Sequence, residues 1–297
     1  MRLLDLLGQF RTDANDVGIP PMWGDLDVMA WLAEAEEEAC IRARLLFDDA
    51  TTDLCEIAVT NAGREYAIDP LITEIVYAKL TDAYGMDYPL DLVKRTWLDV
   101  QNPDWRQEAT RRPASIMHLS KRVAFEVMPD ADYTLSLEIY RKPMESLALR
   151  NDVTFQDAGD TVTHTAHGHT NGEAVMFAAV NITTGIAAET LYYIRDVAAD
   201  TYKLCAVPGG AVLPLTTDGN GQVIYLDNEP EIEEAHHRHL VQWALHRAFN
   251  IPDADSYDKA RASEHMAAFV AQFGEHPGAD MRRQQNARAP RAQPTWC

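Results

Sequence analysis

Residues 160–207 read DTVTHTAHGHTNGEAVMFAAVNITTGIAAETLYYIRDVAADTYKLCAV. Short runs rich in β-branched and aromatic residues, TVTHTA, EAVMFAAV, TLYYIRDV and TYKLCAV, are parted by the turn clusters HGHTNG, NITTG and AAD. A further run, GQVIYL (221–226), follows TTDGNG. Strands at such even spacing predict a small β-sandwich or barrel. The segment 151–226 contains 11 Thr and no Trp, although the whole chain has six Trp. A composition break this sharp marks a domain boundary.

On either side the texture is different. Val28, Leu32, Ala35, Ala39, Ala43 and Leu46 recur at three- and four-residue steps, which predicts an amphipathic helix over 25–47. Pro20 and Pro21 stop anything earlier, and Asp25 stands where a cap is needed. A short helix over 3–13 precedes it. Behind Pro230, residues 231–249 read as a helix, and a second helix runs from Asp255 to Phe273 with Gly274 as its stop. Between these ends the chain is β-rich. CEIAVTNAGREYAID (55–69) reads as a hairpin about Asn61-Ala62-Gly63, and RVAFEVMPDADYTLSLEIYRKP (122–143) as a second hairpin about MPDAD. Strands are expected at ITEIVYAKL (72–80) and LDLVKRTW (90–97).

The organisation expected is therefore α+β. A helical bundle core with β-hairpins, formed by 1–150 together with 227–280, is interrupted by an inserted all-β domain at 151–226. An extended tail, 281–297, follows. Neither flank has enough helices alone, so both must rejoin, and an insertion is tolerated where its ends lie close together.

Composition narrows the function. The 297 residues are 46% hydrophobic and 24% charged, an ordinary globular balance. Asp and Glu number 46 against 26 Lys and Arg, a formal charge of −20, which divides as −11 over 1–150, −6 over 151–226 and −3 over 227–297. Such a surface repels the phosphate backbone, so gripping nucleic acid is excluded, whereas DNA sliding past is not. Cys40, Cys55, Cys205 and Cys297 show no metal spacing and read as small hydrophobes plus a terminal thiol. No export signal and no membrane span are expected.

Catalytic patterns are missing. There is no GxSxG elbow, no GxxxxGK[ST] and no GxGxxG, and Pro208-Gly209-Gly210 and Asp218-Gly219-Asn220-Gly221 read as hairpin turns. Glu34, Glu36, Glu37 and Glu38 read as a solvated helix face, and the tryptophans as core or interface residues. Two histidine groups are candidate ligands: His164, His167 and His169 in the inserted domain, and His236, His237 and His239 in the late helix. Neither carries a carboxylate at a recognisable ligand spacing or an HExxH arrangement, so turn or surface roles are expected, with no metal and no cofactor. The tail combines Arg282, Arg283, Arg288 and Arg291 with a final Trp296-Cys297 and has no acids. It reads as a floppy end or as a segment that orders in a groove on a partner, with Trp296 as anchor.

Four stretches carry a resemblance: IPPMWGDLDVMAWLAEAEEEACIRARLLFDD (19–49), CEIAVTNAGREYAID, YTLSLEIYRKPMESL (133–147) and HHRHLVQWALHRAFNIPDADSYDKARASEHMAAFVAQFGE (236–275). In this order they are similar to head-to-tail adaptor, or neck, proteins of tailed bacteriophages, over about 1–150 and 227–276. The resemblance implies a structural virion protein at the head–tail junction. It implies a homo-oligomeric ring, usually twelvefold, that sits beneath the portal protein and continues the channel for genomic DNA. It also implies that the C-terminal segment, with Arg282, Arg283, Arg288, Arg291 and Trp296, docks onto the portal. The inserted stretch resembles small β modules of phage tail and fibre proteins, with an HG-x-x-x-G turn at 167–172 and Tyr202-Lys203-Leu204 in the last strand. That likeness implies a peripheral position contacting tail fibres, nozzle or capsid. The alternative reading is an accessory metal- or carbohydrate-binding protein that works through the histidines of the insert.

Overall fold

Helical periodicity is realised at both ends of the chain. The computed structural model describes residues 1–252 and 256–278. Within them lie α1 (Leu3–Ala14), α2 (Asp25–Ala43), α3 (Thr52–Cys55), α4 (Arg95–Gln101), α5 (Glu234–Phe249) and α6 (Lys259–Phe273). The helix α6 is opened by Asp258, whose carboxylate accepts the N–H groups of Ala260 and Arg261, and Gly274 closes it at φ 82°. With several sheets beside these helices, the fold is mixed α+β. Contacts divide it into two compact units, one of Met1–Ala39 with Glu145–Gly274 and one built on Cys40–Met144. Cut by contacts alone, the barrel strands described below therefore fall in the same unit as α1, α5 and α6.

In the first unit Trp23 stacks edge-on against Phe10 at 5.8 Å and Phe249 at 5.4 Å, and Trp243 meets Phe269 at 5.1 Å. Trp23 and Trp243 are buried, and such aromatic contacts exceed their area burial in worth. The helix α1 packs on α5, and α5 on α6. That helical packing is narrower than the bundle expected over 1–150 and 227–280, because most of 44–141 goes into sheets.

One element of α2 departs from its expected role. Glu36 is 1% exposed instead of lying on a solvated face. It sits on the stripe Met29, Leu32, Glu36, Cys40, whose other members are wholly buried. Its carboxylate accepts the Glu231 N–H at 2.6 Å just before α5. Burial raises this carboxyl to about 7, against the lowering effect of the Glu231 and Ile232 N–H groups. A carboxyl raised above its ordinary value binds a proton in the fold that the unfolded chain releases, so its contribution is complete below about 4.5 and is lost as pH rises through 7. Glu36→Gln is expected to remove a fall in stability on the order of 3 kcal/mol between pH 5 and 8. Urea melts at the two pH values check this, since equal slopes in both proteins would contradict it.

The second unit is built from two sheets. The strands β1 (Leu46–Asp48), β2 (Glu56–Val59), β4 (Ile72–Thr81), β5 (Asp87–Pro89) and β9 (Tyr133–Arg141) form one sheet, in which β9 pairs with β1, β2 and β4. The strands β3 (Glu65–Ala67), β8 (Arg122–Phe125), β7 (Ser115–His118) and β6 (Asp91–Leu92) form the other. Val59, Ile75, Leu135 and Ile139 from the first sheet and Ile116, Val123 and Phe125 from the second share one buried core.

Neither expected hairpin forms. Instead 56–67 pairs with 122–141: Glu56 lies opposite Ser136 and Val59 opposite Tyr133 in one sheet, then Glu65 opposite Ala124 and Ala67 opposite Arg122 in the other. The turn residues at 60–64 and 126–132 carry each segment from one sheet to the next. Asn61 N–H on the Asp132 carboxylate at 3.1 Å ties the two crossovers together. The buried Glu126 holds the second crossover by accepting the N–H groups of Ala114 and Ser115. The expected strand at 90–97 is also corrected, because only Asp91–Leu92 is extended and the chain turns into α4 at Arg95.

From Asn151 to Tyr225 six antiparallel strands close into a barrel in the order β10 (Asn151–Gln156), β11 (Thr161–Thr163), β14 (Thr201–Cys205), β13 (Leu191–Arg195), β12 (Ala174–Asn181), β15 (Gly219–Tyr225). Of the sandwich or barrel expected here, the barrel is what forms. Strand β10 was not among the strands expected, although Val153 and Phe155 alternate inward. Side chains from all six strands fill the interior, including Phe155, Val162, Phe177, Ile194, Tyr202 and Tyr225.

Candidate functional site

The barrel gathers all three histidines of the expected first group. The turn after β11 carries His164, His167 and His169 over the end of the barrel, where Tyr202 of β14 and Tyr225 of β15 point inward. His169 stacks on Tyr225 with ring centroids 3.5 Å apart, His167 lies parallel to His169 at 5.7 Å, and His164 stacks on Tyr225 at 5.6 Å. The His164 Nδ1 and Tyr225 hydroxyl are 2.5 Å apart, and the Tyr225 and Tyr202 hydroxyls 3.4 Å.

Several other polar atoms of the turn have protein partners. His167 Nε2 is 3.0 Å from the Ala198 carbonyl oxygen, and His167 Nδ1 accepts the His169 N–H. His169 Nδ1 meets Glu173 at 2.7 Å, while the other Glu173 oxygen accepts the Thr170 N–H and hydroxyl. Parallel rings whose nitrogens face different partners do not converge on one point, which is what a ligand set needs. Among the described residues no group of three or more His, Cys, Asp or Glu is arranged to hold a metal ion.

Electrostatics agree with a structural stack. Burial lowers the His164 imidazole, with help from His167 and His169. Burial also lifts the Tyr225 phenol to about 12 and Tyr202 well above its ordinary value. Both phenols stay neutral at physiological pH. The partners Tyr202, Tyr225 and Glu173 were not anticipated. Glu173 stands four residues after His169, and the two tyrosines occupy inward positions of alternating strands, so both signals were present.

A groove of about 670 Å³ runs along the barrel wall past Asp152, Thr154, Thr163, Asn181 and Gln222. Two pairs of its side chains bond each other, Gln222 with Asp152 at 3.0 Å and Asn181 with Asn220 at 2.9 Å, while the buried Thr163 hydroxyl has no hydrogen-bond partner among the described residues.

The second histidine group does not assemble. His236 and His239 lie against Phe273 of α6, whereas His237 is buried with Nε2 at 2.8 Å from the Ile232 carbonyl. Arg282, Arg283, Arg288, Arg291 and Trp296 lie outside the described residues. Cys40, Cys55 and Cys205 are buried and form no disulfide among the described residues, and no helix among the described residues is long and apolar enough to cross a membrane.

Comparison of the sequence with known families gives the decisive observation. The pattern of the SU10 adaptor protein family matches residues 1–179 and 171–294. This chain belongs to the SU10 adaptor protein family. The family is one of bacteriophage adaptors, and the role it carries is structural. Its match runs beyond the 1–150 and 227–276 anticipated, because the two matched segments overlap at 171–179, at the start of β12. The barrel is thus entered by the adaptor pattern from both sides. No curated protein matches the chain.

Proposed function

We propose that this adaptor forms a homo-oligomeric ring, twelvefold in symmetry, that joins the portal protein to the tail and continues the channel for the genomic DNA. The observation that carries the reading is the family match along almost the whole chain. The ring stacking and protein hydrogen bonds of the one assembled histidine cluster support a structural part. In this reading the protein acts at the head–tail junction of the virion, and the −20 charge of the chain makes the channel wall acidic, so that DNA passes without sticking. The barrel is the peripheral module and contacts tail nozzle, tail fibres or capsid.

The tail 281–297 is the segment proposed to seat on the portal. Four arginines without an acid among them suit an acidic groove, and Trp296 suits a central pocket. Deleting 281–297 is expected to leave thermal unfolding unchanged and to weaken co-purification with the portal at least about tenfold. Undiminished co-purification of the truncated protein would refute the assignment of the tail.

A further inference from the structure

Between α1 and α2 the chain puts out a loop that buries none of its apolar side chains well. In Val17-Gly18-Ile19-Pro20-Pro21-Met22, Ile19 is 99% exposed, Val17 76% and Met22 56%. The loop is nevertheless held. Asp16, buried at its start and ion-paired with Arg11, accepts the Met22 N–H at 2.8 Å and the Trp23 N–H at the loop's end. Trp23 then anchors the chain against Phe10 and Phe249. A fixed loop that presents apolar side chains to solvent has already met the ordering cost of binding.

The same compact unit carries a hollow of about 270 Å³, floored by Leu26, Ala30, Ala33, Ala148 and Ile224. Glu34, Glu37 and Arg150 also line it, and Glu34 is ion-paired with Arg247 at 3.2 Å. We infer that the loop 17–22 of one copy seats in this hollow of the next, and that this knob-in-hole contact is part of the interface between neighbouring copies. The inference rests on the ring reading proposed above.

Three observations name a second copy as the occupant. Charge comes first: a chain at −20 repels its own copies, so self-contact must use surface without net charge. The loop 17–22 has no charged residue, and of the hollow's two acids Glu34 is ion-paired with Arg247 while Glu37 is offset by Arg150 in the same lining. Second, knob and hollow are different surfaces of one unit, so each copy offers both, which is the head-to-tail kind of contact from which rings are built when its rotation closes. Third, six loop residues fall far short of the ~800 Å² per partner that a stable pairwise interface buries. Such a contact is weak alone and gains only where closure lets every copy make it twice.

The test is disulfide trapping in the full-length protein, alone and with portal added. The variant Ile19→Cys with Ala33→Cys is made in a Cys297→Ser background, since Cys40, Cys55 and Cys205 are buried. Oxidation is expected to give a ladder of covalent multimers beyond the dimer, absent from either single-cysteine variant. Ile19→Asp is expected to weaken self-association about tenfold in sedimentation while leaving the melting curve unchanged. Rings that form without any trapped ladder, or that tolerate Ile19→Asp, would overturn this contact and leave the ring standing. Failure of the parent protein to assemble with or without portal would overturn the ring and the contact together.

Discussion

Asp48→Ala is expected to destabilise the two-sheet unit by about 3–5 kcal/mol. Asp48 ends β1 and Arg141 ends β9, and their side chains, 6% and 10% exposed, meet at 2.7 Å. The same carboxylate accepts the N–H groups of Ala50 and Thr51 and the Thr51 hydroxyl, so it also shapes the entry to α3. Burial alone would raise this carboxyl, but the Thr51 N–H and the Arg141 guanidinium outweigh burial and hold it well below the usual carboxylate range. A lowered carboxyl gives stability that is present above its unfolded value of 3.8 and lost as pH falls through its folded value. Removing Asp48 takes away the carboxylate that meets this buried guanidinium at 2.7 Å, and breaking such a pair from one side costs more than the pair itself is worth. The double variant Asp48→Ala with Arg141→Met is therefore expected to recover most of the loss. Hydrogen exchange of the β9 amides reads both effects, and a loss under about 1 kcal/mol in the single variant would contradict the assignment.

Gly221→Ala is expected to cost the barrel about 3 kcal/mol, at the upper end of what overpacking does. A Cβ at this position would lie 2.3 Å from the Ala179 carbonyl oxygen and 2.9 Å from the Phe155 ring. The first neighbour is backbone of β12 and cannot rotate away. Gly219 has the same relation to the Asn181 carbonyl at 2.3 Å, so β15 is pressed against β12 at two alternate residues. Space, and not backbone conformation, makes glycine necessary here. Gly8→Ala is the control, because a Cβ at Gly8 in α1 meets nothing within 4 Å, and it is expected to be neutral or stabilising by up to about 1 kcal/mol. Exchange of the β12 and β15 amides decides the matter, and equal protection in the two variants would show that the close approach does not hold the barrel.

The helices and the barrel were legible because their signals are local. Period 3.6 in 25–47 and 231–249, and turn clusters at even spacing in 160–226, each fit inside a short window. The sheets of 44–141 were not, because their pairing is long-range. Asn61-Ala62-Gly63 and MPDAD are sound turn sequences, yet a turn that closes a hairpin and one that passes a strand between sheets use the same residues. Only the partner segment, more than fifty residues away, decides between them. Strand β10 was hidden because NDVTFQ sits on the composition break itself. Glu36 was misjudged from its acidic neighbours, although the spacing Met29, Leu32, Glu36, Cys40 already put it on the buried stripe. For the histidines, the three residues that stack together were readable as a group. Glu173 is a local partner four residues after His169, whereas Tyr202 and Tyr225 come from strands that only barrel closure brings to the turn.

The account stands most directly on assembly. Mass photometry of the full-length protein, alone and mixed with purified portal, measures it in one experiment. The account predicts a discrete complex in which many copies of this chain, twelve in the reading proposed above, sit on one portal assembly, and Ile19→Asp reduces its population. Monomer as the sole species under both conditions, with no portal complex at any protein concentration tried, would contradict it.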